Sequence, residues 1–278
     1  CITINSNPMR HINLFISVFL LTINISFGNV SIINGLTHTH SGKSGDQING
    51  EIILQNATDK PQRIKFNLRE AIYACSEDRV FSKTNAHAQS ATSWFNSPNM
   101  EKELGANEKY TYRYTIDIPA DENIKGSFWT VLMVSIENPI KEDIINKNIG
   151  IGTKIRYGVG LLTHVNELDD VNLNFQNINL NEGTSTKEKS LDVTIKNDGS
   201  FIERVALTLE VYDSHGNKVT ELKTKSNLIF PNVCFNYTVD LSSLPPGKYE
   251  CLLLADSREE FTGTNLTLSI DKKSSQKI

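Results

Sequence analysis

Residues 110–118 read YTYRYTIDI, and their pattern sets the class of fold. Tyr110, Tyr112, Tyr114, Ile116 and Ile118 alternate with Thr111, Arg113, Thr115 and Asp117. A period of two belongs to a strand with one buried face, because successive side chains of an extended chain point to opposite sides. The same period recurs on both sides of this stretch. Ile64, Phe66 and Leu68 alternate with Arg63, Lys65 and Asn67, and Leu191, Val193 and Ile195 with Asp192, Thr194 and Lys196. Val205, Leu207, Leu209 and Val211 repeat it again. Residues 128–134, FWTVLMV, are instead a continuous apolar run of strand length, expected of a central strand covered on both faces. Turn signals separate these runs: Asn56-Ala57-Thr58-Asp59, Asn197-Asp198-Gly199, Ser214-His215-Gly216-Asn217 and Pro245-Pro246-Gly247. No run of period 3.6 follows residue 28. The chain is expected to be all-β.

Short strands and turns spread over about 100 residues suggest a sandwich, and the pattern occurs twice. The expectation is two tandem immunoglobulin-like β-sandwiches, over 29–162 and 171–271, joined by a short polar hinge at 163–170. Residues 272–278 are read as a disordered tail. In the second block Tyr249 stands two residues before Cys251, the spacing of a tyrosine corner.

The chain has 278 residues and a formal net charge of −4, with no clustered basic motif, which argues against a nucleic-acid partner. Mean hydropathy of −0.30 excludes a polytopic membrane protein. The one long apolar run, INLFISVFLLTINISF, follows Met9-Arg10-His11 and ends in Ser26-Phe27-Gly28. That is the layout of a secretory signal peptide, with cleavage before Asn29 and no membrane span in the mature chain. Whether the segment is cleaved or kept as an anchor is left open by the sequence. Cys75, Cys234 and Cys251 then remain. The phase of CFNYTVDL points Cys234 away from the apolar face, whereas Cys251 shares a face with Tyr249 and Leu253. The preferred reading is three unpaired cysteines rather than a Cys234–Cys251 bridge.

Nothing marks a catalytic centre: there is no G-x-S-x-G elbow and no close carboxylate pair. The letters G-K-S at Gly42-Lys43-Ser44 lack the upstream glycine of a phosphate loop. His38 and His40 have the spacing of two zinc ligands on one strand face, with His87 and Asp46 as the only nearby candidates for a third and fourth, but THTHSGKSGDQ reads more simply as a polar loop. No metal, cofactor or enzymatic activity is expected. The sequons at Asn56, Asn236 and Asn265 matter only in a glycosylating secretory pathway.

The most informative stretch is 148–161, NIGIGTKIRYGVGL. Ile149, Ile151, Ile155, Tyr157, Val159 and Leu161 take one face. Gly150, Gly152, Gly158 and Gly160 nearly empty the other, leaving Lys154 and Arg156 as its large side chains. A glycine-lined strand at a sheet edge leaves its backbone open to a partner strand. The residues expected to bind a partner are Ile149, Ile151, Lys154, Ile155, Arg156 and Tyr157.

GSFWTVLMVSIENP followed by IGIGTKIRYGVG resembles the end of the first domain of the periplasmic pilus-assembly chaperones. GEIILQNATDKPQRIKF and SWFNSPNMEKELGANEKYTYRYTIDIP resemble earlier parts of that domain, so the likeness spans about residues 45–160. It implies two immunoglobulin-like domains, a last first-domain strand lent to a protein subunit, and a basic cleft residue at Arg156 with Lys154 beside it. Residues 29–42 contain no Arg, so that family's first-strand Arg has no counterpart. The two-domain layout is also similar to bacterial WxL-interacting surface proteins. Together these imply an exported protein of the periplasm or cell surface that binds another envelope or surface protein. A pilin chaperone and a surface adhesin or wall-attached scaffold are the alternatives.

Overall fold

The structure is a computed structural model that describes residues 30–75, 77–83, 87–137, 155–182 and 189–270. The first ten strands in chain order are β1 (Val30–Ile32), β2 (Thr37–Gly42), β3 (Gln47–Asn56), β4 (Gln62–Ala74), β5 (Glu77–Ser82), β6 (Phe95–Asn96), β7 (Glu101–Leu104), β8 (Lys109–Asp117), β9 (Gly126–Glu137) and β10 (Ile155–Val165). They form a sheet of order β1-β3-β8-β6 facing a sheet of order β2-β10-β9-β4-β5, with β7 also on β4. The remaining eight are β11 (Leu173–Glu182), β12 (Lys189–Asn197), β13 (Glu203–Tyr212), β14 (Lys218–Lys223), β15 (Asn227–Ile229), β16 (Cys234–Asp240), β17 (Gly247–Ser257) and β18 (Glu260–Ile270). They pair as β11-β12-β16 and β14-β13-β17-β18, with β15 on β13. The chain is all-β, two immunoglobulin-like sandwiches in tandem. Among the described residues the only helical element is a 3₁₀ turn at Thr92–Trp94.

Each sandwich has its own core, built from the faces that the alternation assigns inward. Ile64 and Phe66 of β4, Tyr112, Tyr114 and Ile116 of β8, and Leu132 and Val134 of β9 fill the first. Leu191, Val193 and Ile195 of β12 face Leu207, Leu209 and Val211 of β13 in the second. Two asparagines end corresponding strands in the same way. Asn56 at the end of β3 is fully buried; its amide donates to the carbonyls of Lys60 and Gly105 at 2.8 Å, and its oxygen accepts from the N–H of Thr58. Asn197 at the end of β12 donates to Phe201 and Ile229 carbonyls at 2.7 and 2.9 Å and accepts from Gly199 N–H. Each side chain supplies the bonds that a tight turn cannot make to itself. The sequon at Asn56 is therefore structural.

Two expectations change here. The polar loop read over THTHSGKSGDQ is partly a strand: β2 runs parallel to β10, with Gly160 opposite Thr37 and Val165 opposite Gly42. His40 turns inward, its Nε2 3.0 Å from the Tyr114 hydroxyl, so that histidine is occupied by packing. The sequence could not show this, because what makes residues 37–42 a strand is a partner more than 100 residues away. The cysteines are the second change. Cys75 and Cys234 form a disulfide across a sequence separation of 159, and among the described residues Cys251 is the free, buried thiol. The outward phase of Cys234 was the clue; it points at the first sandwich.

The Tyr249 hydroxyl donates to the carbonyl of Pro245 at 2.9 Å, tying down the edge of the second sandwich. Tyr249→Phe keeps the packing and deletes that bond, so the urea midpoint is expected to fall by the equivalent of about 1 kcal/mol, with little change in the slope of the transition.

Candidate functional site

The last strand of the first sandwich has two halves. From Gly160 onward it lies between β9 and β2. From Ile155 to Val159 it pairs with β9 alone, and no described residue lies in register on its other side. The cause lies at the start of the chain. β1 pairs with β3 in the opposite sheet, and the chain then crosses to join β10 only at Thr37. Gly35 makes the crossing at a φ of +94°, a region open to glycine. Asn34 replaces the missing ladder, donating to Glu51 O and accepting from Ile53 N–H at 2.9 Å each.

The direction of the open groups follows from strand geometry. Gly160 N–H donates outward to Leu36 O at 2.9 Å. Amides of alternate residues in a strand point the same way, and the β9–β10 register is continuous. The N–H and C=O groups of Gly158 and Arg156 therefore point away from β9, where no described strand receives them. Tyr157 lies on the core side, its hydroxyl donating to Val30 O at 2.8 Å, and Ile155 is half-buried against the first core. Arg156 and Gly158 are exposed on the opposite face. Of the six residues expected to bind a partner, Ile155, Arg156 and Tyr157 thus lie on one short open edge. Ile149, Ile151 and Lys154 lie outside the described residues.

The exposed face of this edge opens into a cleft of about 600 Å³ between the two sandwiches. Gly158 and Gly160 line it from β10, with Leu228, Phe230 and Phe235 opposite. Sequence reasoning missed the residues that hold the cleft in shape, because they make sense only in pairs. Tyr73 stacks on Phe230 at 3.8 Å between centroids, and Trp129 meets Phe230 edge-on at 4.8 Å. Ala71, Val131 and Leu162 complete the first sandwich's side of this seam, and Ile202 and Val233 the second's. His87 stacks on Trp129 at 4.5 Å and reaches the buried Glu70 carboxylate at 3.0 Å.

Polar contacts close the rest of the elbow. Ser127 N–H donates to Ser200 O at 2.8 Å, and Ile202 N–H donates to Ser127 Oγ at 2.7 Å. Gly126 has to be glycine: a Cβ there would lie 2.6 Å from Ser200 O, and its φ is +117°. In the linker, Asp169 binds Lys125 of the first sandwich and Ser200 of the second, and these bonds hold its carboxyl below the usual carboxylate range. Arg258 grips Glu203 through two nitrogens at 2.8 and 3.0 Å and donates to Asp169 O at 2.8 Å. The Cys75–Cys234 disulfide closes the opposite end, joining the β4–β5 turn to β16. Among the described residues no group of three His, Cys, Asp or Glu side chains is placed to hold a metal. No helix there is long and apolar enough to cross a membrane.

Residues 146–278 match the family model described as WxL Interacting Protein, host binding domain. That segment takes in β10 and the whole second sandwich. No curated protein matches the sequence. Among solved structures, the chain is similar to the class 5 fimbriae chaperone CfaA, with 13% identity over 88% of this chain and 100% of that one, and a TM-score of 0.49. A chaperone–tip adhesin complex of CFA/I fimbriae gives 14% identity over 88% and 100%, with a TM-score of 0.48. The Salmonella enterica SafA pilin in complex with the SafB chaperone gives 11% over 87% and 98%, with a TM-score of 0.44.

Two predictions test the elbow. Replacing Cys75 and Cys234 together by Ala is expected to lower stability by about 2–4 kcal/mol, read as the urea midpoint against wild type under non-reducing conditions. The second concerns His164, whose Nδ1 lies 2.7 Å from Ser127 Oγ. Burial lowers its pKa from 6.5, with Glu203 opposing that shift and Arg258 adding to it. Burial thus makes folding favour the uncharged ring. A depressed histidine pKa contributes stability above its unfolded value; that contribution is lost as pH falls through the folded value. The urea midpoint should therefore drop as pH falls below about 6.5, and less steeply in His164→Asn, which keeps an acceptor without a titrating ring.

Proposed function

We propose that this is a non-catalytic, exported envelope protein that binds another protein by adding the partner's strand to the open edge of β10. The observation that carries this reading is the half-covered strand: among the described residues, Ile155 to Val159 pair on one side only, beside a cleft floored by glycine. Backbone groups left open along a strand edge gain a full ladder when an extended segment pairs with them, and alternate side-chain positions supply the selectivity. Ile149, Ile151 and Lys154, outside the described residues, are proposed to contact the same partner. Export is supported by the signal-like N-terminal sequence and by the Cys75–Cys234 disulfide, a bond that persists in oxidising compartments. A binding role is supported by the family match, whose description is that of a binding domain.

The same match favours a second reading. The matched segment contains the whole second sandwich, so the protein would act at the surface as an adhesin or scaffold, the second sandwich engaging a host component.

Gly158→Pro distinguishes the two readings. Proline there deletes an outward N–H and leaves the β9 ladder intact. With a photo-crosslinking side chain in place of Arg156, the chain should trap discrete protein adducts in the envelope. Adding Gly158→Pro should cut their yield about tenfold with the thermal midpoint held. Equal yields with and without the proline would overturn strand addition and favour the surface-adhesin reading.

A further inference from the structure

Two hollows meet on the glycine-lined face of β10, and their charge is one-sided. Among the described residues, the interdomain cleft is lined by Arg79 of β5 and Arg204 of β13 and by no acidic side chain. A second hollow of about 370 Å³ lies on the outer face of the same sheet. Lys65, Arg69, Lys83 and Arg156 line it, with Glu137 as the one acid among the described residues, and Glu137 is 2.8 Å from Lys65. Phe81 lines both hollows, and Gly158 lies between them: a Cβ on it would be 3.5 Å from Met133 and 4.0 Å from Phe81. The two hollows therefore form one band along the open edge of β10. Arg69, Arg79, Lys83, Arg156 and Arg204 have no ion pair among the described residues.

This concentration of cations runs against the composition of a chain whose net charge is −4. Like charges gathered on one sheet face repel one another, and a bound anion relieves that repulsion. The shape selects among anions. The band runs beside an unpaired strand edge and has an apolar floor of Val131, Met133 and Phe81. The Arg79 guanidinium carbon lies 5.5 Å from the Tyr73 ring centre and 5.8 Å from that of Phe81. A planar guanidinium offers its N–H groups for paired bonds to a carboxylate.

We propose that the segment recognised along β10 is an acidic protein strand, with carboxylate side chains alternating with apolar ones. Its backbone pairs with the edge at Arg156 and Gly158. Its carboxylates meet Arg156 at one end and Arg79 and Arg204 at the other, and its small apolar side chains rest over Gly158. The inference rests on the strand-addition reading above and adds the chemistry of the partner.

The test uses the full mature chain and labelled peptides of alternating Glu and Val, with a Lys and Val counterpart, read by fluorescence anisotropy. The Glu peptide should bind at least about tenfold more tightly than the Lys peptide, and its affinity should fall between about 0.05 M and about 0.3 M salt. Arg79→Gln with Arg204→Gln alters exposed side chains only, and should weaken binding about tenfold with thermal midpoint and adduct pattern from neutral partners unchanged. Gly158→Pro should weaken it as well. Equal affinity for the two peptides, or an unaltered affinity in the double Arg variant, would overturn the acidic partner. If Gly158→Pro still abolishes adduct formation in that case, strand addition stands without it. Polyphosphate that binds and displaces the Glu peptide, with Gly158→Pro having no effect on either, would overturn the proposal in favour of a non-protein polyanion.

Discussion

The structure depends on β9 being buried on both faces. Phe128, Leu132, Val134 and Ile136 point into the first core, and Trp129 and Val131 on the opposite parity point into the seam with the second sandwich. A strand covered on both sides has no room for polar alternation, which is why FWTVLMV is continuous where its neighbours alternate. Trp129 shows what this requires. Its ring is sandwiched against His87 and Phe230, and its one donor must find an acceptor, the Ala71 carbonyl at 2.7 Å. Without the second sandwich this face would be an exposed apolar patch on a strand pairing β10 to the rest of its sheet.

That constraint carries into the candidate site. Because β9 is anchored on both faces, β10 is held rigidly along one edge and presents the other. The strand that could have covered it, β1, pairs instead with β3, and the crossing at Gly35 delivers cover only from Gly160 onward. The open edge is thus produced by the path of the chain, while the cleft beside it is held by the seam, the Asp169 and Arg258 contacts and the disulfide. A fixed cleft lowers the entropic cost of ordering a bound strand, since one of the two partners is already in place.

The alternating runs were sufficient for the fold because each strand pattern is local: inward and outward residues are set by parity, whatever the partner. The tyrosine corner was legible for the same reason, a spacing of two and a turn four residues upstream. The site was only half legible. The glycine-backed face of β10 and its Arg156 could be read from the sequence. That residues 155–159 are open and 160–165 covered could not, because it depends on β2, whose THTHSG has too few apolar residues to announce a strand. The cationic band was equally hidden: Arg69, Arg79, Lys83, Arg156 and Arg204 are scattered over more than 130 positions and come together only when β4, β5, β10 and β13 are placed.

By itself, then, the sequence determined the all-β class, the two sandwiches and which face of each strand is buried, since these follow from side-chain period and turn chemistry along short stretches. Only the tertiary structure decided that Cys75 pairs with Cys234, that His40 packs against Tyr114, and that among the described residues one half of β10 pairs with β9 alone. Each of these is a contact between residues 74 to 159 positions apart or more, made or left unmade by how the sheets are wound and docked. Local physical chemistry does not register such contacts until the chain is folded.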